Sequence, residues 1–152
     1  MLDKKIEIYT DGSSLGNPGP GGWGAVITEG GKIIKEIGGF DKNTTNNKME
    51  LTAVIEAVLY IHKHHKTDIV TIFADSTYVL TGITSWIHNW EKNGWRTANK
   101  KQVMNQDLWK ELIELVRNYD NKIIWQKVKG HSGHVHNDRA DEIATSKALL
   151  QR

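Results

Sequence analysis

The sequence predicts an α/β fold, a mixed sheet with helices on both of its faces. Three stretches carry that prediction. Lys4–Gly12 (KKIEIYTDG) alternates Ile6, Ile8 and Thr10 with Glu7, Tyr9 and Asp11, the period of a strand with two differently dressed faces. Ile69–Ala74 (IVTIFA) is an almost continuous apolar run, as in a strand covered on both sides. Asn47–His62 repeats its apolar residues at helical spacing.

Bulk properties narrow the class. A chain of 152 residues fits one domain, taken as 1–152. Its 38% hydrophobic and 25% charged residues are ordinary for a soluble globular protein. With no cysteine, disulfides and thiolate metal sites are excluded and a reducing compartment is the natural setting. MLDKKIEIY has no apolar signal region, and no stretch approaches the roughly 18 apolar residues of a membrane span. The expectation is a cytoplasmic protein with no membrane partner. A net charge of +2 is too small to argue for nucleic acid by itself, so that argument depends on where the charges lie.

Taken in order, the first strand stops at Asp11 and Gly12, a carboxylate where a strand meets a turn. Residues 12–39 then hold ten of the fourteen glycines and both prolines. GNPGPGG (Gly16–Gly22) reads as a loop, because proline removes backbone donors and glycine permits positive φ. It lacks a Gly-Lys-Ser/Thr ending and feeds a strand, so it does not read as a phosphate loop. Trp23–Thr28 and Lys32–Phe40 form a hairpin about Glu29, Gly30 and Gly31, which makes the first three strands antiparallel.

Thr44, Thr45, Asn46 and Asn47 are capping residues ahead of the helix Asn47–His62, whose Met49, Ala53, Val54, Ala57, Val58 and Ile61 face inward. His62, Lys63, His64, His65 and Lys66 suit its negative end and read as a solvated terminus rather than a metal tail. Glu50, three residues after Asn47, has an obvious structural role as the back-reaching acid of a capping box, worth ~1 kcal/mol with its cap. The apolar strand Ile69–Ala74 also runs out at an aspartate, Asp75, and Ser76 starts a short helix to about Gly82.

Residues 84–109 carry four of the six tryptophans (Trp86, Trp90, Trp95, Trp109) among His88, Lys92, Arg96, Lys100 and Lys101. Basic residues between aromatics suit a surface that neutralises phosphates, although a helix Thr84–Glu91 with buried tryptophans explains the same pattern. Gln106–Tyr119 is amphipathic, with Leu108, Trp109, Leu112, Leu115 and Val116 inward. Lys122–Val128 is the last strand. In KGHSGHVHNDRADEIA (Lys129–Ala144), Gly130 and Gly133 flank His131, and Asn137 caps a final helix Asp138–Leu149. His131, His134 and His136 lack the partners of a convincing zinc site. Asp138, Asp141 and Glu142 crowd the first turn of that helix, where its dipole favours them in any case.

Each carboxylate has an ordinary explanation alone, but together they strain it. Asp11 and Asp75 end strands, Glu50 opens one helix and Asp141 another, and a mixed sheet gathers such ends outside its strand termini. Without a cation each close pair would repel by roughly 4 kcal/mol at 4 Å and an effective dielectric of 20. Oxygen-only ligands favour Mg²⁺ or Mn²⁺. Two such ions ~3.5–4 Å apart can hold both oxygens of an in-line phosphoryl displacement. An acidic cluster beside an aromatic and basic surface therefore points to a metal nuclease.

TDGSSLGNPGPGGWGA, TTNNKMEL, ADSTYV, GITSWIHNW…GW and VKGHSGH…NDRADEIA resemble, in order and spacing, the motifs of the type 1 bacterial ribonuclease H family, over essentially the whole chain. The resemblance implies a five-stranded mixed sheet with helices on both sides. It also implies Mg²⁺-dependent endonucleolytic cleavage of the RNA strand of RNA–DNA hybrids, leaving 3′-hydroxyl and 5′-phosphate ends, with Mn²⁺ able to substitute. Asp11, Glu50, Asp75 and Asp141 fall on the family's metal-binding carboxylates, His131 on its mobile catalytic histidine, and Asp138 on an auxiliary acidic position. Ser14, Asn17, Asn46 and Asn47 match minor-groove contacts, and Ser76 matches one near the cleavage site. Thr45 and Asn105 match a pocket for a DNA-strand phosphate. Trp86 to Lys101, with Trp90 and Lys92, matches the basic handle that leans on the DNA strand. Discrimination follows from 2′-hydroxyls being present on one strand and absent on the other.

The chain departs from the pattern at Thr77, where a familiar member has a glutamine on the RNA strand, and at Glu91 and Asn93, where that member has basic handle residues. A weaker salt dependence of binding than for a more basic handle follows. Two alternatives stay open at this point: the same fold acting on DNA, as in integrases and junction resolvases, and a non-catalytic hybrid-binding module. All four carboxylates being present argues against the second. No exposed apolar heptad suggests an oligomer, so a monomer is expected.

Overall fold

The structure, a computed structural model, describes residues 5–97, 99–128 and 134–151. Its elements are β1 (Ile6–Ser14), β2 (Gly19–Glu29), β3 (Lys32–Thr44), α1 (Asn46–His64), β4 (Val70–Ala74), α2 (Thr77–Thr81), a π-helical turn (Gly82–Trp86), α3 (Ile87–Lys92), α4 (Gln106–Arg117), β5 (Ile123–Lys127) and α5 (Val135–Leu149). The five strands form one sheet in the order β3-β2-β1-β4-β5. β1, β2 and β3 are antiparallel, whereas β4 lies parallel to β1 and β5 parallel to β4. This is the predicted mixed architecture.

Strand alternation divides the core into two layers. Ile6, Ile8, Ala25, Ile27 and Ile72 pack with Leu51, Val54, Val58 and Ile61 of α1 and with Trp109 and Leu112 of α4. On the other face Tyr9, Val26 and Val128 pack with Ala140 and Ile143 of α5, and Phe73 stacks on Tyr9 with ring centroids 4.7 Å apart. All six inward positions expected of α1 are buried.

Several expected boundaries move, each for a physical reason. β1 does not stop at Gly12: Gly12, Ser13 and Ser14 stay paired with Trp23, Gly22 and Gly21. GNPGPGG is accordingly a loop only to Pro18, and β2 already starts at Gly19. Pro20 is accommodated beside a register irregularity between Gly19 and Gly21, and its carbonyl accepts from Leu15 N–H at 2.7 Å. α1 begins one residue early, because Thr45 rather than Asn47 is its cap and accepts from the Lys48 N–H at 3.2 Å. The two expected helices from Ser76 to Glu91 are one run of backbone from Thr77 to Lys92, interrupted only by the π-helical turn. α5 starts at Val135, so Asn137 lies inside the helix rather than capping it, and only Asp138 is an acid of its first turn.

Close approach to the sheet explains two glycines. A Cβ on Gly22 would sit 2.3 Å from the Ala144 carbonyl oxygen, and one on Gly24 2.7 Å from that of Ala140. Their bare backbone lets α5 lie directly on β2.

Candidate active site

The site begins with register. β1 and β4 are parallel, and their last paired residues are Thr10 and Ala74. Asp11 and Asp75 are the next residues of the two strands, so strands about 4.8 Å apart deliver both carboxylates to one spot. Glu50 comes from α1, whose first turns press on β1 at Gly12. A Cβ there would stand 2.3 Å from the Glu50 nitrogen and 2.4 Å from the Met49 carbonyl carbon. The result is a trio, Asp11, Glu50 and Asp75, each with a carboxylate oxygen within 4.8 Å of the others. At that distance and an effective dielectric of ~20, two full charges repel by about 3–4 kcal/mol.

The electrostatics follow from this crowding. Asp11 is buried, Glu50 is 9% exposed and Asp75 is open to solvent. Burial above all pushes the Asp11 carboxyl up to about 7; Asp141 and Asp75 push the same way, while Glu50 and the Gly12 N–H oppose them. That N–H donates to Asp11 Oδ1 at 2.9 Å. Glu50 is held well above the usual carboxylate range by burial and then by Asp11 and Asp75. Glu50 Oε2 is buried with no hydrogen-bond partner among the described residues. The capping-box role for Glu50 falls away, because the residue three after the cap Thr45 is Lys48. Buried acidity, a partnerless oxygen and an all-oxygen donor set fit a hard divalent cation.

Asp141 on α5 approaches the Asp11 carboxyl without joining the trio, and its own side chain is exposed. Asp138 is exposed one turn earlier. His131 lies outside the described residues. His134 and His136 flank Tyr9 at 4.7 and 5.3 Å, and among the described residues only the carboxylate trio has the geometry to hold a metal ion.

The predicted substrate residues fall into two regions. Asn17, Thr45, Asn46, Asn47 and Asn105 line one cavity with Tyr78. Ser14 is tied to it, since its N–H donates to Asn46 Oδ1 at 2.7 Å. Ser76 caps α2 by accepting from the Val79 N–H at 3.2 Å, right after Asp75. Trp86, Trp90 and Lys92 line a second cavity with Asn89, Asn93 and Arg96. Of the four clustered tryptophans, Trp86 is exposed and Trp109 is core, 0% exposed, which removes Trp109 from any binding surface. Glu91 is not a loose negative charge on the handle, because it forms a bidentate pair with Arg117 of α4, 2.6 Å on one arm.

Two residues that the sequence does not single out bond to residues that it does. Tyr78 OH accepts from Asn105 Nδ2 at 3.1 Å and from Trp109 Nε1 at 3.0 Å, so it anchors a cavity residue to the core. Asn105 itself sits at φ 59°, a left-handed conformation that asparagine tolerates. The second is Lys127, whose Nζ donates to Thr77 Oγ1 at 2.8 Å. A lone tyrosine in a helix or a lysine ending a strand gives no signal in one dimension.

Comparison with known proteins agrees with this geometry. The family model described as RNase H matches residues 3–149. The chain is 54% identical to a ribonuclease H of Pseudoalteromonas atlantica, over 97% of this chain and 95% of that protein. It is 49% identical to one of Nitrobacter hamburgensis, over 97% and 93%. Among solved structures it resembles LC9-RNase H1, described as a type 1 RNase H with the type 2 active-site motif, at 31% identity and a TM-score of 0.85, covering 100% of this chain and 75% of that one.

Proposed function

The chain belongs to the ribonuclease H family and is an enzyme of that type, and from that premise we propose that it cleaves the RNA strand of RNA–DNA hybrids endonucleolytically, giving 3′-hydroxyl and 5′-phosphate ends. The observation that carries the reading is the convergence of Asp11, Glu50 and Asp75, from two strands and a helix, into one acidic notch. Asp11, Glu50, Asp75 and Asp141 would hold Mg²⁺, or Mn²⁺ in its place. Two such ions, when bound, supply charge stabilisation to the attacking and leaving oxygens of an in-line displacement. The residues around the notch do the positioning. Asn17, Asn46, Asn47 and Ser14 present polar groups to the minor groove, with Ser76 beside the cleavage point. Thr45 and Asn105 take a DNA-strand phosphate, and the surface of Trp86, Trp90 and Lys92 supports the DNA strand. His131 assists proton transfer or product release, and Asp138 supports the acidic cluster. The reading is of one domain over 1–152, acting as a cytoplasmic monomer; among the described residues no helix is long and apolar enough to cross a membrane.

The test is one gel of labelled RNA–DNA hybrid, duplex DNA and duplex RNA, with and without Mg²⁺. Only the hybrid is cut, only in its RNA strand, and only with the metal. Asp75→Asn abolishes this cleavage while hybrid binding persists. Cleavage by Asp75→Asn at near the original rate, or preferential cutting of duplex DNA, would overturn the proposal.

A further inference from the structure

Resting on that reading, we infer that Lys127 is a further substrate-binding residue, its ammonium taking a phosphate of the RNA strand beside the one that is cleaved. β5 runs parallel to β4, and Lys127, its last residue, stands level with Ala74, the residue just before Asp75. Parallel pairing therefore places Lys127 on the same rim of the sheet to which β1 and β4 bring Asp11 and Asp75. The ammonium is not left trailing in solvent. Its Nζ donates to Thr77 Oγ1 at 2.8 Å, and Thr77 is two residues past Asp75 and adjacent to the cap Ser76. Two residues of chain span at most about 7 Å, so the Thr77 backbone that carries this contact stays near that of Asp75, at the end of the sheet where the carboxylates gather.

Among the described residues Lys127 makes no ion pair with a carboxylate. Among the described residues one of the three ammonium donors is spent on Thr77, which leaves two for a ligand. A cation fixed at the edge of an acidic notch, yet not neutralised by it, suits the anionic strand lying across that notch. The contact it makes is to a phosphodiester oxygen, not to a base edge, so it adds affinity without sequence preference.

Hybrid binding is measured by fluorescence anisotropy in EDTA, from about 50 to about 200 mM KCl, for wild type, Lys127→Met, Lys127→Arg and Lys63→Met. Lys63 is the control, near the far end of α1 and about 20 Å along that helix from Glu50. Losing one phosphate contact makes the plot of log affinity against log salt shallower by about 0.7–0.9, so the Lys127→Met deficit shrinks about threefold across that range. Lys127→Arg keeps the wild-type slope, Lys63→Met superimposes on wild type, and in Mg²⁺ the Lys127→Met defect falls on KM rather than kcat. A Lys127→Met line coincident with wild type overturns the inference, as does an equal loss of slope in Lys63→Met. A wild type that cleaves the hybrid while Lys127→Met matches it defeats only the role of Lys127. A wild type that neither binds nor cleaves the hybrid defeats the proposed function itself.

Discussion

Replacing Gly12 by alanine tests how the acidic notch is built. Gly12 is not at positive φ, so an alanine backbone is unstrained there and the whole effect is steric. The new methyl would lie 2.3 Å from the Glu50 nitrogen and 2.4 Å from the Met49 carbonyl carbon, whereas ordinary contact starts near 3.4 Å. Both obstacles are helix backbone and cannot rotate away, so the first turns of α1 must retreat from β1 by about 1 Å. Overpacking of this kind costs about 1–3 kcal/mol, or roughly 2–12 °C in Tm for a chain of this size. The retreat carries Glu50 away from Asp11, and a 1 Å misplacement in a catalytic constellation can cost on the order of 10²-fold in rate. Hybrid cleavage at saturating Mg²⁺ and thermal unfolding read the two effects separately. Gly30→Asn is the control, because Gly30 at φ 60° has no atom within 4 Å of a Cβ and asparagine tolerates that conformation. Gly12→Ala with turnover within about threefold of wild type and an unchanged Tm would refute the claim that contact between β1 and α1 sets the site.

Other outcomes follow from the same geometry. Asp11 is raised from 3.8 to about 7, so between those values the folded chain binds more protons than the unfolded one. In EDTA the stability contributed by the protonated form is therefore present at low pH and lost as pH rises through about 7. The Tm of wild type falls more between pH 5 and 8 than that of Asp11→Asn, and Mg²⁺ narrows the gap; parallel pH curves in EDTA would contradict this. Tyr78→Phe strips the buried Trp109 Nε1 of its acceptor, a loss of about 1–3 kcal/mol. It also frees Asn105, so hybrid affinity drops together with Tm; a Tm within about 1 °C of wild type would show that the hydrogen bond contributes nothing. Breaking the Glu91–Arg117 pair with Glu91→Gln moves Tm little, because exposed ion pairs are worth at most about 1 kcal/mol, and steepens the salt dependence of binding. An unchanged salt slope would mean that Glu91 and Arg117 lie outside the reach of the substrate.

Much of this was already legible along the chain, because periodicity is local. The two-faced strand before Asp11 and the inward stripe of α1 each follow from neighbours a few residues apart and were found in place, whereas the apolar run before Asp75 is a strand only from Val70, with Ile69 exposed and Thr71 and Phe73 half-buried rather than covered on both faces. Strand-terminal aspartates together with acids expected in the opening turns of two helices were enough to nominate the four carboxylates. Local pattern was a poorer guide to element ends, since glycine and proline cannot announce in one dimension that Gly19, Gly21 and Gly22 stay in a ladder, or that Thr45 outcompetes Asn47 as the cap.

What the amino-acid order settled by itself was the set of elements and the candidate acids. Which acids meet was decided only in three dimensions. The parallel register of Thr10 with Ala74 sets Asp11 beside Asp75, and the bare Gly12 admits the turn of α1 that carries Glu50. The same register brings Lys127 to the rim, and a tyrosine hydroxyl ties Asn105 to a buried tryptophan. These are contacts between residues tens of positions apart, and strand register and backbone clearance depend on packing that no short stretch of sequence contains.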